Sequence, residues 1–321
     1  MKGKEKYITY SKALAAIIVI VWHAWGNLNI SSTFMHRLML LFYITHVPTF
    51  MLISGMLYTK HTVKHDYKYR IIKVANLGLC CLLYVLILTV LRTITNLVLG
   101  IRIDLQHNLM ASVHNMWYFP VLCVSIIVYE IIIRINKQWM IYGLLILVVC
   151  DIILLYKNPS IGKMLVYVLI FLGGGSLEFS RRRASVFLLL NMALWAIVVF
   201  ILNQVDVRSE GSSGTELLLM MIMTVCGSFI IPSVMYLICN QEKKKETNAF
   251  ISGICNNTQL IYFFQFIPIV IVAAFNKAGI ISYSAAICLI LSFVYFVFSY
   301  LMSSFVSNNS ILKRIFLKPI N

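Results

Sequence analysis

Charge is what this sequence has least of. Only 12% of its 321 residues are Asp, Glu, Lys or Arg, and just 11 are acidic. A soluble domain carries about 25% charged residues. The shortage excludes a water-soluble fold, because even a large domain leaves much of its surface in water. Other absences narrow the class further. No segment outside the apolar runs is long enough to build a contiguous basic face, so nucleic acid is not an expected partner despite a net charge of +16. The apolar runs do not alternate, which argues against a β-barrel. There is no internal repeat, and no loop is long enough for a second domain, so residues 1–321 read as one domain. No cysteine falls in an outer loop, so no disulfide framework is expected. Cys80, Cys81, Cys123, Cys150, Cys226 and Cys288 lie in apolar runs, and Cys239 and Cys255 at or near the cytoplasmic side. A cleavable signal peptide is not expected either, since the first apolar run is too long and has no small-residue cleavage site.

What the sequence has instead is apolar length. Hydrophobic residues make up 60% of the chain, and the mean hydropathy is +0.88. Apolar runs read as helices at 7–27, 38–58, 71–91, 116–135, 138–156, 163–180, 185–203, 216–239, 258–276 and 281–304. Each is about long enough to cross a ~30 Å hydrocarbon core at 1.5 Å per residue. In lipid the backbone must satisfy its own hydrogen bonds, so helices are the expected form. The fold class is therefore all-α, a polytopic membrane protein of about ten transmembrane helices, with membrane lipid as its solvent.

Loop charge gives the orientation. With the N-terminus inside, 20 of the 27 Lys and Arg fall in inner segments and 7 in outer ones. Every inner segment contributes, from Lys2, Lys4, Lys6 and Lys12 to Lys313, Arg314 and Lys318. Both termini are expected in the cytoplasm, and an even helix count agrees with that. The longest outer loop is expected at about 92–115, with Arg92, Arg102, Asp104, His107 and His114. A polar, Gly/Ser-rich outer loop is expected at 204–215.

Ionisable groups inside a spanning helix are costly, so each is a functional hypothesis. Lys12 and His23 are 11 residues apart on the first helix, about three turns and ~16 Å along one face. Lys12, near the cytoplasmic edge, also suits simple snorkelling. His23, about one turn inside the outer boundary, is a candidate general base, since imidazole titrates near neutral pH; the plainer reading is a His bonded to a neighbouring helix. On the second helix His46 lies at a depth within about a turn of His23, and the two imidazoles could form a polar centre. Pro48 frees a backbone carbonyl beside it. Ser54-Gly55 suits close helix packing better than catalysis, and Gly173-Gly174-Gly175 suits packing or a break. The stretch His114-Asn115-Met116-Trp117-Tyr118 is either an interfacial aromatic belt or a set that stacks on and hydrogen-bonds a sugar. Glu130 and Arg134, four apart, are expected to pair.

In order along the chain, these residues resemble the acyltransferase-3 family of bacterial membrane acyltransferases. Tyr7-Ile8-Thr9-Tyr10-Ser11-Lys12 through His23 is similar to the family's first helix, in which Arg or Lys is followed after ten residues by His. Thr45-His46-Val47-Pro48-Thr49-Phe50 leading to Ser54-Gly55 resembles its second-helix pattern. Tyr69-Arg70-Ile71-Ile72-Lys73 looks like the basic pair that opens its third helix, and Trp117-Tyr118-Phe119 like its Trp-Phe-Leu at the fourth. Thr9 stands where the family often has an acidic residue, Leu77 near its Pro, and Gln265 nearest the place of its ninth-helix His. The resemblance covers the whole chain and its ten-helix topology.

It implies transfer of an acyl group, usually acetyl, from cytoplasmic acyl-CoA to a surface glycan or a lipid-linked sugar, in a bacterial inner membrane. His23 would be the catalytic base or a transient acyl carrier, with His46 as its partner. Lys12, Arg70 and Lys73 would face the CoA donor, with acetyl-CoA as the first expectation. Ser54, His114, Asn115, Trp117 and Tyr118 would be on the substrate side, and no metal is expected. The rival reading is a glycan or lipid-linked sugar transporter using the same polar centre near the midplane. Such a transporter has no need of the CoA-facing cations. A scaffold or sensor without chemistry would leave both histidines unexplained.

Overall fold

The structure, a computed structural model, describes residues 6–26, 33–62, 65–135, 159–201, 214–241 and 248–318. Among these, every regular element is helical. The polypeptide is an all-α polytopic membrane protein. Six segments are long and apolar enough to cross a membrane: Lys6–Trp25, Arg37–Lys60, Tyr67–Val98, Leu219–Cys239, Thr258–Lys277 and Ala285–Asn308. Leu105–Asn115 and Tyr118–Ile132 become a seventh if this pair, bent by 52°, is one span. A shorter apolar helix covers Met164–Ser176. The expected count of ten is not reached among the described residues; the run 138–156 and most of the 204–215 loop lie outside them.

The helices gather into two compact units. One holds residues 1–15, 33–66 and 121–247, the other 16–32, 67–120 and 248–321.

In the first unit, α2 (Thr33–Leu57) packs on α6 (Pro159–Ser176) at a crossing of bare backbones. A Cβ added to Gly55 would collide with the Phe171 carbonyl, and one added to Gly174 with the Leu52 carbonyl. Apolar burial does not drive helices together in lipid, so small residues that let backbones touch supply the packing energy. Gly55 and Gly174 are therefore packing features, whereas a Cβ at Gly173 would meet nothing. Pro48 lies inside α2 and offers no N–H to the Ile44 carbonyl four residues back. That carbonyl meets Gly227, the last residue of α8 (Gly214–Gly227), where a Cβ would again collide. At one end of this unit Tyr7 packs against Tyr236 and Phe179, with ring centroids 5.1 and 5.5 Å apart. Tyr236 belongs to α9 (Ile230–Gln241). A π-helical turn over Tyr58–Thr62 ends α2, and Tyr58 donates to Glu130 at 2.7 Å. The side chain of Arg134, the partner expected for Glu130, lies outside the described residues.

In the second unit, α3 (Tyr67–Val98) and α4 (Leu105–Asn115) correct the expected outer loop at 92–115. Only residues 99–104 are non-helical. Polar residues that interrupt the apolar run are satisfied within and between these helices. Thr93 and Thr95 donate to the carbonyls one turn back, while Asn108 bonds Thr93 at 3.2 Å and Asn96 at 3.3 Å. Gly100, at φ +65°, ends α3 in a left-handed turn that a Cβ would disfavour. Asp104 caps α4 by accepting from His107 N–H at 2.9 Å. Tyr84 of α3 is fully buried and stacks on Phe263, 4.1 Å between centroids and 11° between planes. Its hydroxyl donates to the Phe316 carbonyl at 2.6 Å, which fixes α14 (Ser310–Leu317) against this unit.

Candidate functional site

The first helix, α1 (Lys6–Trp25), contributes to both units, Lys12 to the first and His23 to the second. Both are partly buried. The His23 ring packs edge to face on Phe266, with centroids 4.9 Å apart and planes at 65°. Phe266 opens α12 (Phe266–Lys277), 11 residues before its end, which is about 16 Å of helix. Two residues beyond His23, Trp25 donates its indole N–H to Ser292 at 3.2 Å. Ser292 lies seven residues into α13 (Ala285–Asn308). His23 is two residues from the end of α1, and both contacts lie several residues inside the neighbouring spans.

The aromatic stretch at the start of the fourth apolar run belongs to the same unit. α4 ends at Asn115 and α5 (Tyr118–Ile135) begins three residues later. The turn between them is closed by Met116 N–H on the Ser112 and Val113 carbonyls. His114 is exposed, and Asn115, Trp117 and Tyr118 are partly buried. Tyr262, in α11 (Thr258–Phe264), donates its hydroxyl to the Asn115 carbonyl at 3.3 Å and sets its ring 5.4 Å from that of Tyr118. The same Tyr262 ring lies 5.5 Å from Phe266. His23, Phe266, Tyr262, Tyr118 and Asn115 therefore form one connected cluster, although the residues span positions 23–266 of the chain. Tyr262 and Phe266 were not marked by sequence, being two aromatics within a long apolar run.

The sequence marked Gln265 as the polar residue nearest the place of the family's ninth-helix His. It lies between α11 and α12, in ordinary helical conformation (φ −59°, ψ −30°). Its backbone N–H donates to the Ile261 carbonyl at 3.1 Å. The side chain is 0% exposed, and neither amide atom has a hydrogen-bond partner among the described residues.

His46 and Ser54 belong to the first unit. His46 is buried, 4% exposed, and its Nδ1 bonds the Phe42 carbonyl. A carbonyl only accepts, so Nδ1 carries the proton, and in the neutral ring Nε2 is the basic atom. The neighbouring Tyr43 ring stands edge to face at 6.4 Å. Ser54 is partly buried two turns further along α2. Of the expected donor-side cations, Arg70 and Lys73 open α3 in the second unit, Arg70 partly buried and Lys73 exposed. They are three residues apart and so share a helix face.

Among the described residues no three His, Cys, Asp or Glu side chains converge as a metal site. Cys80, Cys81, Cys123, Cys226, Cys239, Cys255 and Cys288 are unbridged.

No curated protein and no solved structure matches the chain. The sequence profile of an acyltransferase domain matches residues 5–307. That stretch begins one residue before α1, ends one residue short of the end of α13, and includes every residue of the His23 cluster. The chain thus belongs to the acyltransferase-3 family of membrane acyltransferases.

Proposed function

We propose that this multi-pass membrane enzyme transfers an acyl group, in the first place acetyl, from cytoplasmic acyl-CoA to a hydroxyl of a surface glycan or lipid-linked sugar in a bacterial inner membrane. The observation that carries the reading is the placement of His23. It is an imidazole within the span, held on Phe266 and linked through Tyr262 to an aromatic and amide surface at Tyr118 and Asn115. A sugar hydroxyl is a poor nucleophile at neutral pH and needs an aligned base. In this mechanism His23 accepts the hydroxyl proton as the oxygen attacks the thioester carbon. The new C–O bond forms, the C–S bond breaks, and the proton passes to the departing CoA thiolate. Tyr118, Trp117, Asn115 and His114 supply the ring faces and polar groups that suit a sugar, and Ser54 is a further hydroxyl that the family resemblance assigns to the substrate. Arg70 and Lys73, with Lys12, are cations suited to the CoA phosphates, Arg through its planar fork and Lys as a point charge. His46 offers a second imidazole with a fixed tautomer.

The test is mass analysis of the cell-surface glycan in cells with the gene, without it, and with His23→Ala at equal membrane abundance. Acyl groups are expected only with the wild-type gene. An unacylated glycan in all three, together with lost glycan export in the deletion, would favour a transporter instead.

A further inference from the structure

Asn108, the other buried side-chain amide named above, is held by Thr93 and Asn96. Gln265 differs. It is fully enclosed, its backbone is bonded, and both ends of its amide are unpartnered among the described residues. An amide buried in this way is costly unless something hydrogen-bonds it.

Its surroundings say where a partner would arrive. Gln265 lies seven residues after the start of the Thr258–Lys277 span and twelve before its end, about 10 and 18 Å of helix. Tyr262, one turn earlier, carries the contacts to Tyr118 and Asn115. Phe266, the next residue, carries the contact to His23. In the chain Gln265 therefore lies between the two residues that join the candidate base to the aromatic surface.

Its chemistry says what would bind. The group is neutral, Nε2 donates and Oε1 accepts. A thioester carbonyl only accepts and would leave Oε1 unfilled. A vicinal diol fills both, one hydroxyl donating to Oε1 while the other accepts from Nε2–H. The geometry points to Gln265 as a binding residue for a vicinal diol of the acceptor, drawn in to the depth of His23. This rests on the acyl-transfer reading for the identity of the acceptor, but the diol contact is separately measurable.

The experiment uses purified full-length protein in octaethylene glycol dodecyl ether, which has no vicinal diol. Octyl β-D-glucoside is added below its micellar concentration as the diol probe. Thermal unfolding is followed for wild type, Gln265→Met and Gln265→Leu, and acyl transfer from acetyl-CoA is followed by glycan mass analysis in cells. Without probe, the Gln265→Met midpoint is expected at or above wild type, since the variant removes an unpartnered buried amide. The probe is expected to raise the wild-type midpoint and leave both variants unmoved, and acyl transfer to fall at least tenfold. A lowered midpoint with the probe shift retained would assign the amide a structural partner and overturn the proposal. Equal shifts in variant and wild type, including none in either, overturn it too, as does loss of fold in both variants. If wild type shows the probe shift but transfers no acyl group, the diol site stands and the acyl-transfer reading falls.

Discussion

Phe266 holds the His23 ring edge to face at 4.9 Å. Aromatic pairs of this geometry contribute about 0.5–1.5 kcal/mol beyond their burial, enough to fix an orientation without fixing the fold. His23→Ala is expected to lower acyl transfer by about 10²–10⁴-fold, the usual contribution of a general base, with normal membrane insertion. Phe266→Leu keeps the base but loosens it, and is expected to lower kcat by a smaller factor. The check is CoA release by purified protein, normalised to folded material. A wild-type rate in His23→Ala would refute the mechanism.

The His46 side chain is tied to the Phe42 carbonyl. His46→Ala removes that bond inside a spanning helix, while the Phe42 carbonyl keeps the Thr45 hydroxyl as a donor at 3.2 Å, so the expected cost of the lost bond is about 0.5–1.5 kcal/mol, the net of one hydrogen bond. The activity loss is expected to be clear but smaller than for His23→Ala. Unfolding and CoA-release measurements on the same preparations separate the two effects.

Gly55 and Gly174 cannot carry a Cβ without moving a backbone. Gly55→Ala and Gly174→Ala are each expected to destabilise the protein by ~1–3 kcal/mol or more, the range for overpacking. Gly78 lies within α3 with nothing near its missing Cβ, and Gly78→Ala is expected to be neutral or stabilising, since Ala is the better helix former. Thermal unfolding of the three variants checks the ranking. Equal midpoints would mean that the α2–α6 crossing is looser than it looks.

Arg70→Glu reverses the charge at the start of α3. It is expected to raise KM for acyl-CoA while kcat and insertion hold. An unchanged KM, measured by varying acetyl-CoA, would reduce the basic pair to a topology signal.

The loop-charge bias predicts that a reporter fused at Gly211 reads outside and one fused at the C-terminus reads inside. If both report the same side, the number of spans between them is even and the expected helix count is wrong.

The sequence made the helical membrane class plain, because apolar length and charge segregation are one-dimensional properties. It marked His23, His46 and the basic pair because ionisable groups are conspicuous among apolar ones. It could not mark Phe266 or Tyr262, whose roles come from being opposite His23 and Tyr118 rather than from their type. The stretch 92–115 was expected as a loop with Arg92, Arg102, Asp104, His107 and His114, and nothing in the sequence showed that Thr93, Thr95, Asn96 and Asn108 sit within helices. In the structure they bond carbonyls one turn back, or one another. Gln265 was legible as an oddity, but its lack of partners appears only once the chain is packed around it.

The crossing of α2 and α6 also has a mechanical meaning. Each helix presses a carbonyl into a glycine of the other, Phe171 onto Gly55 and Leu52 onto Gly174. Turning α2 by one residue about its axis, about 100°, would bring the side chain of Ser54 or Met56 against Phe171 in place of bare Cα. Two such contacts, one from each helix, oppose rotation of either helix against the other. The α2–α6 pair is therefore expected to move as one body, with any relative motion during turnover taken up at its borders with other helices.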